Sequence, residues 1–256
     1  MTSTSTTTSE RALAKVPEVT LGFWLIKIAA TTLGETAGDA ASMSLNLGYL
    51  LSTGIFAVAF LVAVIAQVRA RRFHPSLYWT TIVATTTVGT TLADFADRSL
   101  GIGYTGGSSL LLGLLLASLF IWHRTMGSVS VGAVNSPKAE MFYWLTIMFS
   151  QTLGTALGDW TADTAGMGYT GAALLFGGML ALITAAYQWT TISRTALFWG
   201  AFILTRPLGA VVGDFLDKPL SSGGLALSRY SASLALLAFM VGCMLMFRQR
   251  AASTTH

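Results

Sequence analysis

The stretch TTLGETAGD at residues 31–39 recurs as TTVGTTLAD at 86–94, QTLGTALGD at 151–159 and RPLGAVVGD at 206–214. Working outward from each terminal Asp (Asp39, Asp94, Asp159, Asp214), the copies stay aligned without a gap. An aromatic-Trp pair precedes each by 15 residues, at Trp24, Trp79, Trp144 and Trp199. A glycine stands five residues before each Asp (Gly34, Gly89, Gly154, Gly209), and Gly38, Ala93, Gly158 or Gly213 immediately before it. Nine residues after it comes Gly48, Gly103, Gly168 or Gly223, with Tyr following in the first three copies. Self-similarity of this order marks an internal repeat.

Each unit pairs its signature segment with an apolar run: Tyr49 to Val68, Tyr104 to Trp122, Tyr169 to Trp189, and Leu225 to Phe247, the last interrupted by Arg229. Some 20 uncharged residues at 1.5 Å each span the ~30 Å hydrocarbon core of a bilayer. The 256 residues are 53% hydrophobic and only 10% charged, against roughly 25% charged in soluble domains. Mean hydropathy is +0.64. This composition excludes a soluble domain, a disordered protein, a disulfide scaffold and a nucleic-acid binder. The lone Cys243 can form no internal disulfide.

The expected fold is therefore all-α and polytopic: eight transmembrane helices as four tandem two-helix repeats in a pseudo-symmetric bundle. Its divisions are a disordered tail at 1–19, repeats at 20–72, 75–125, 141–192 and 195–248, a linker at 126–140, and a tail at 249–256. Ten Lys and Arg lie on the side of the termini against Arg98, Lys218 and Arg229 opposite, which places both termini in the cytoplasm by the positive-inside rule. Trp24, Trp79, Trp122, Trp144, Trp189 and Trp199 are then expected to form a belt at the cytoplasmic interface, and Tyr49, Tyr104 and Tyr169 to mark the outer one.

The F/Y-W…T-x-x-G-x-x-x-G/A-D…G-Y unit resembles a family of bacterial integral membrane proteins built from a two-helix repeat of unknown function. The resemblance covers nearly the whole chain outside the tails and implies a bacterial inner-membrane location. It brings no catalytic or binding residues. The fourth copy departs from the pattern, with Pro207 where Thr32, Thr87 and Thr152 stand.

Function has to come from the polar residues. Eight of the eleven carboxylates fall in or just after the signature: Glu35, Asp39, Asp94, Asp97, Asp159, Asp163, Asp214 and Asp217. Positions four apart share one helix face. Read back from each Asp, they give Glu35, Thr31 and Lys27; Thr90, Thr86 and Ile82; Thr155, Gln151 and Ile147; Ala210, Arg206 and Phe202. A bundle of the four signature helices would turn these stripes to a shared axis, with Gly34, Gly38, Gly89, Gly154, Gly158, Gly209 and Gly213 as close-packing positions.

Glu35 and the four Asp outnumber Lys27 and Arg206 by three, so the layer calls for a cation or protons. The expected ligands are Asp39, Asp94, Asp159, Asp214, Glu35, Thr31, Thr86, Thr90, Gln151 and Thr155. These oxygen donors suit Mg, Mn or Ca rather than Zn or Cu. Any metal would bind at the four Asp, of which Asp39 and Asp94 are expected to matter most; no cofactor beyond a divalent cation is implied. Lys27 is expected to snorkel to the cytoplasm, Arg206 to pair with Glu35, and Asp97 and Asp217 to pair with Arg98 and Lys218. The expected function is transport or export of a cation, with the bilayer and a small solute as partners. An enzyme is not expected, since no His lies in a span and the Asp occurs four times rather than as one proton-sharing pair. A non-transporting scaffold or sensor, an exporter of organic cations, and Asp residues serving only as caps remain open.

Overall fold

The computed structural model describes residues 14–252. Eight α-helices follow in order: α1 (Leu21–Asp39), α2 (Gly48–Arg69), α3 (Pro75–Asp94), α4 (Tyr104–Met126), α5 (Pro137–Asp159), α6 (Gly168–Trp189), α7 (Arg194–Asp217) and α8 (Arg229–Met246). Five of them, α2, α4, α6, α7 and α8, are long and apolar enough to cross a membrane. Helices α1, α3 and α5 carry most of the charged and Thr-rich stripes, and their polar faces are turned inward, where they are buried.

The four odd helices close a ring: α1 packs on α3, α3 on α5, α5 on α7, and α7 on α1. The glycines set its spacing. A Cβ at Gly34 would fall on the Thr86 side chain, one at Gly89 would lie 3.0 Å from the Gln151 backbone, and ones at Gly154 and Gly209 would overlap Arg206 and Thr31. Each glycine five before the Asp thus receives the residue eight before the Asp of the next odd helix. One turn on, Gly38 receives Thr90, Gly158 receives Ala210 and Gly213 receives Glu35. Thr86 and Thr31 use that proximity to donate across the contact to the Ala30 and Thr205 carbonyls, both at 3.2 Å.

The even helices lie outside. Each packs on the odd helix of the following copy: α2 on α3, α4 on α5, α6 on α7, and α8 back on α1. Their outer faces remain exposed and apolar, with Leu50, Val58, Leu116, Leu174, Leu182 and Leu234 among the most exposed side chains. Helix α8 begins at Arg229 rather than at Leu225, so the arginine that interrupts the apolar run stands at the helix start.

At the end of the ring holding the chain termini, the aromatic pairs interlock. Trp79 packs on Phe23 at 5.4 Å between ring centroids, Trp144 on Tyr78 at 5.7 Å, Trp199 on Tyr143 at 6.2 Å and Trp24 on Phe198 at 5.8 Å. This corrects the expected interfacial belt: Trp79, Trp122, Trp144 and Trp199 are buried, and their rings cross-brace the helices. Trp189 does stand exposed. Tyr169, expected at the opposite interface, is buried, while Tyr49 and Tyr104 are half-buried. Residues 14–19 also differ from the tail assigned to them. Lys15 pairs with Glu140 at 2.6 Å and caps the α2 carbonyls of Gln67 and Val68, and that of Ala70, at 2.8–3.1 Å. Pro17 meets Ala251 in an antiparallel bridge, and Gln249 accepts from the Trp79 indole. The rest of the first tail, residues 1–13, lies outside the described residues.

Overpacking a close contact costs ~1–3 kcal/mol. Gly34→Ala and Gly209→Ala should therefore lower the melting temperature of detergent-purified protein. Gly113→Ala on α4, where an added Cβ meets nothing within 4 Å, should leave it unchanged or raise it. Equal losses at all three positions would contradict the glycine-set ring.

Candidate functional site

All sixteen stripe positions are buried, so each step of four along the odd helices forms a layer across the ring. The first layer is Asp39, Asp94, Asp159 and Asp214. Below it lie Glu35, Thr90, Thr155 and Ala210, then Thr31, Thr86, Gln151 and Arg206, then Lys27, Ile82, Ile147 and Phe202. Phe23, Tyr78, Tyr143 and Phe198 close the far end, where the Tyr78 and Tyr143 hydroxyls hydrogen-bond at 2.6 Å.

Arg206 holds the centre. It is fully buried, and its Nη2 lies 2.9 Å from Glu35 Oε2 on α1. The same nitrogen donates to Thr90 on α3 at 2.6 Å and to Thr155 on α5. One guanidinium from α7 thus touches all three other odd helices. The pairing with Glu35 follows from ring closure, which makes copies four and one neighbours. Arg206 Nε and Nη1 and both amide atoms of Gln151 in the same layer have no hydrogen-bond partner among the described residues. Buried polar groups in that condition usually face a bound water or solute.

Lys27 does not snorkel. It is fully buried, with Nζ 3.4 Å from Thr205 Oγ1 and 4.1 Å from the centroid of the Phe202 ring. The inward-facing stripe position prevails over the short distance to the interface, and a cation–π contact takes the place of water.

The repeat Asp residues are not caps. Asp39, Asp94 and Asp159 each end an α-helix that runs on through a single π-helical turn, and none accepts a capping hydrogen bond from it. The structure does not form them into one symmetric four-Asp site. Glu35, Asp159 and Asp214 bring carboxylate oxygens within 4.8 Å of one another, and so do Asp39, Asp214 and Asp217. Asp94 belongs to neither group and pairs with Arg98 at 2.9 Å.

Arg98, Lys218 and Arg229 complete the layer, the first two with partners other than the nearest acids in sequence. Arg98 turns from Asp97 to Asp94 and reaches Asp159 at 3.9 Å. Lys218 turns from Asp217 to Asp39 at 2.6 Å and Asp214 at 3.0 Å, while Asp217 pairs with Arg229 at 2.9 Å. Burial opposes the charge of Lys218, yet the carboxylates of Asp214, Asp39 and Asp217 prevail and hold its pKa above that of an ordinary lysine. The signal was available: Arg98 and Lys218 stand four residues after a repeat Asp, one further step along the stripe. Counting them reduces the three uncompensated negative charges expected on the axis to one.

The family model described as Repeat of Unknown Function (DUF347) matches residues 22–73, 77–128, 142–193 and 197–251. The chain belongs to that family, with four copies of its repeat. No curated protein and no solved structure matches it.

Breaking a buried ion pair by removing one partner costs ~3–5 kcal/mol, while removing both is far milder. Arg206→Met and Glu35→Leu should each strongly destabilise the purified protein, and the double variant should recover much of the loss. A double variant no better than the worse single would show that the two side chains are not coupled.

Proposed function

We propose that the chain is a transporter or exporter of a small cation, bound by Glu35, Asp159 and Asp214, with Arg206 as the resident cation that the cargo displaces. The observation that carries this reading is the convergence of three buried carboxylates within 4.8 Å beside a guanidinium with two nitrogens unused. Three carboxylates this close repel one another, and a cation seated among them relieves that repulsion. Their oxygens, with Thr90 and Thr155 one layer below, are hard donors suited to a divalent ion such as Mn or Mg; protons fit the same cluster. Arg206 lies across the axis just beneath, so inward passage requires it to release Glu35. Lys27 and the aromatic layer bar the last part of the path.

On this reading the chain lies in a bacterial inner membrane. All eight helices span it, α1, α3 and α5 shielded by the others, and both termini are cytoplasmic by the count of basic residues. Reporter fusions after Arg72 and Arg194 should read cytoplasmic and fusions near Ser99 and Ser222 periplasmic. The opposite pattern would invert the assignment.

A second reading rests on the near-neutral charge balance. Each repeat Asp already has a basic group within 4 Å, as a static membrane scaffold would require. Liposomes loaded with a Mn-quenched dye separate the two. The transporter should admit Mn, and Asp159→Asn, Asp214→Asn and Glu35→Gln should each slow uptake tenfold or more while inserting normally. Asp94→Asn should matter least, because Arg98 already compensates Asp94. Wild-type protein that admits neither Mn nor protons and exports no cationic dye would favour the scaffold. Mn uptake at the wild-type rate by all the variants would remove these carboxylates from the path.

A further inference from the structure

Three copies of the repeat can be compared, without a gap, at the position 28 residues after the Asp: Gln67, Trp122 and Tyr187. In the first two the side chain is buried in the bundle. Gln67 donates to the Lys15 carbonyl at 3.0 Å, and Trp122 wedges between α5 and α7, 6.3 Å from Tyr143 and 5.8 Å from Trp199. By the same register Tyr187 of α6 should wedge between α7 and α1, against Trp24. Instead it is turned outward and 48% exposed, with the Arg194 guanidinium 4.1 Å above its ring. Its carbonyl accepts a hydrogen bond from Arg194. Trp24, left without its wedge, is only half-buried, whereas Trp79, Trp144 and Trp199 are buried.

The vacated wedge is a cavity of about 460 Å³ between α1, α6 and α7, a size typical of small-ligand sites. Ile28, Leu180, Ile183 and Ala201 form its apolar walls, and Thr20, Gln188 and Arg194 stand at its rim on the side of the termini. Its floor is Thr205, the residue whose hydroxyl faces Lys27 Nζ on the axis. It opens between outer and inner helices, where a membrane protein meets acyl chains.

We propose that this cleft is a binding site for one anionic phospholipid, its acyl chain taking the place of the missing aromatic wedge and its phosphate seated on Arg194. The charge complementarity is specific. A guanidinium offers five N–H donors, of which the Tyr187 carbonyl takes one, and Arg–phosphate hydrogen bonds are about twice as strong as neutral ones. A zwitterionic lipid carries the same phosphate and would fill the walls equally, but its choline ammonium would lie beside Arg194 and be repelled by it, whereas a glycerol headgroup adds no positive charge. The occupant lies one hydroxyl from the buried Lys27, so the site reaches from the bilayer to the axis. The inference rests on placing the chain in a bilayer and is independent of any cargo.

Native mass spectrometry of protein exchanged into phosphatidylglycerol or phosphatidylcholine tests it, whatever the outcome of a transport assay. The full chain should retain one phosphatidylglycerol molecule, preferred several-fold over phosphatidylcholine, whose choline sets a second positive charge beside Arg194. Arg194→Gln, at the rim, should abolish the preference. Ile183→Trp should abolish retention by refilling the cleft, and Ala201→Phe should do the same from the opposite wall. Leu112→Trp on the exposed face of α4 should change nothing. Equal retention of the two lipids by the wild type, or undiminished retention by folded Ile183→Trp and Ala201→Phe, would overturn the proposal.

Discussion

A guanidinium buried among four helices needs its charge matched inside the ring, and the structure is arranged around that requirement. Arg206 leaves α7 eight residues before its Asp, where the narrow Gly154 contact lets α5 come close, and its Nη2 reaches α1, α3 and α5 together. Buried and left unpaired, it would cost several kcal/mol. The surrounding oxygens of Glu35, Thr90 and Thr155 therefore have to lie on one layer. That layer exists because all four signature helices share one register, maintained by the same glycine at the same step.

The same repeat geometry explains why the ring closes. Each even helix covers the odd helix of the next copy, so no copy buries its own polar face alone. The last even helix, α8, returns to α1, and the segments around Pro17 and Ala251 join beneath it. A chain of such units has unsatisfied edges until the fourth is added. Departures from fourfold symmetry then stand out as local chemistry: Arg206 and Pro207 in the fourth copy, Lys27 and Glu35 in the first, and the outward Tyr187 in the third.

Much of this was legible in the sequence, and for one reason. A period of four anchored on a repeated Asp fixes which residues share a helix face, and repetition excludes coincidence. The stripes from Asp39 to Lys27 and from Asp214 to Phe202, the packing glycines and the Arg206–Glu35 pair follow from that period and from closure of a ring. What depends on neighbours distant in sequence was not legible. No pattern shows that α2 lies on α3 rather than on α1, because the outer faces are apolar throughout. The burial of Lys27 depends on Phe202 and Thr205, nearly 180 residues away. Arg98 and Lys218 were visible but were matched to the nearest acid in the sequence, whereas in space each bridges two repeat Asp residues of different helices. The wedge position was hidden because Gln67, Trp122 and Tyr187 share no chemistry.

These same neighbours reshape the function that composition suggests. An axis read as strongly acidic is nearly neutral once Arg98 and Lys218 are counted, and Glu35, Asp159 and Asp214 converge beside Arg206. On the proposed reading, a cation entering there would compete with Arg206 for Glu35, and occupancy would be tied to the side chain that lies across the axis. The most direct measurement is a structure of the protein determined with Mn, located by its anomalous scattering. Transport by displacement predicts a Mn peak among Glu35, Asp159 and Asp214, with Arg206 withdrawn from Glu35. No peak at these carboxylates at saturating Mn, with the Arg206–Glu35 pair intact, would contradict it.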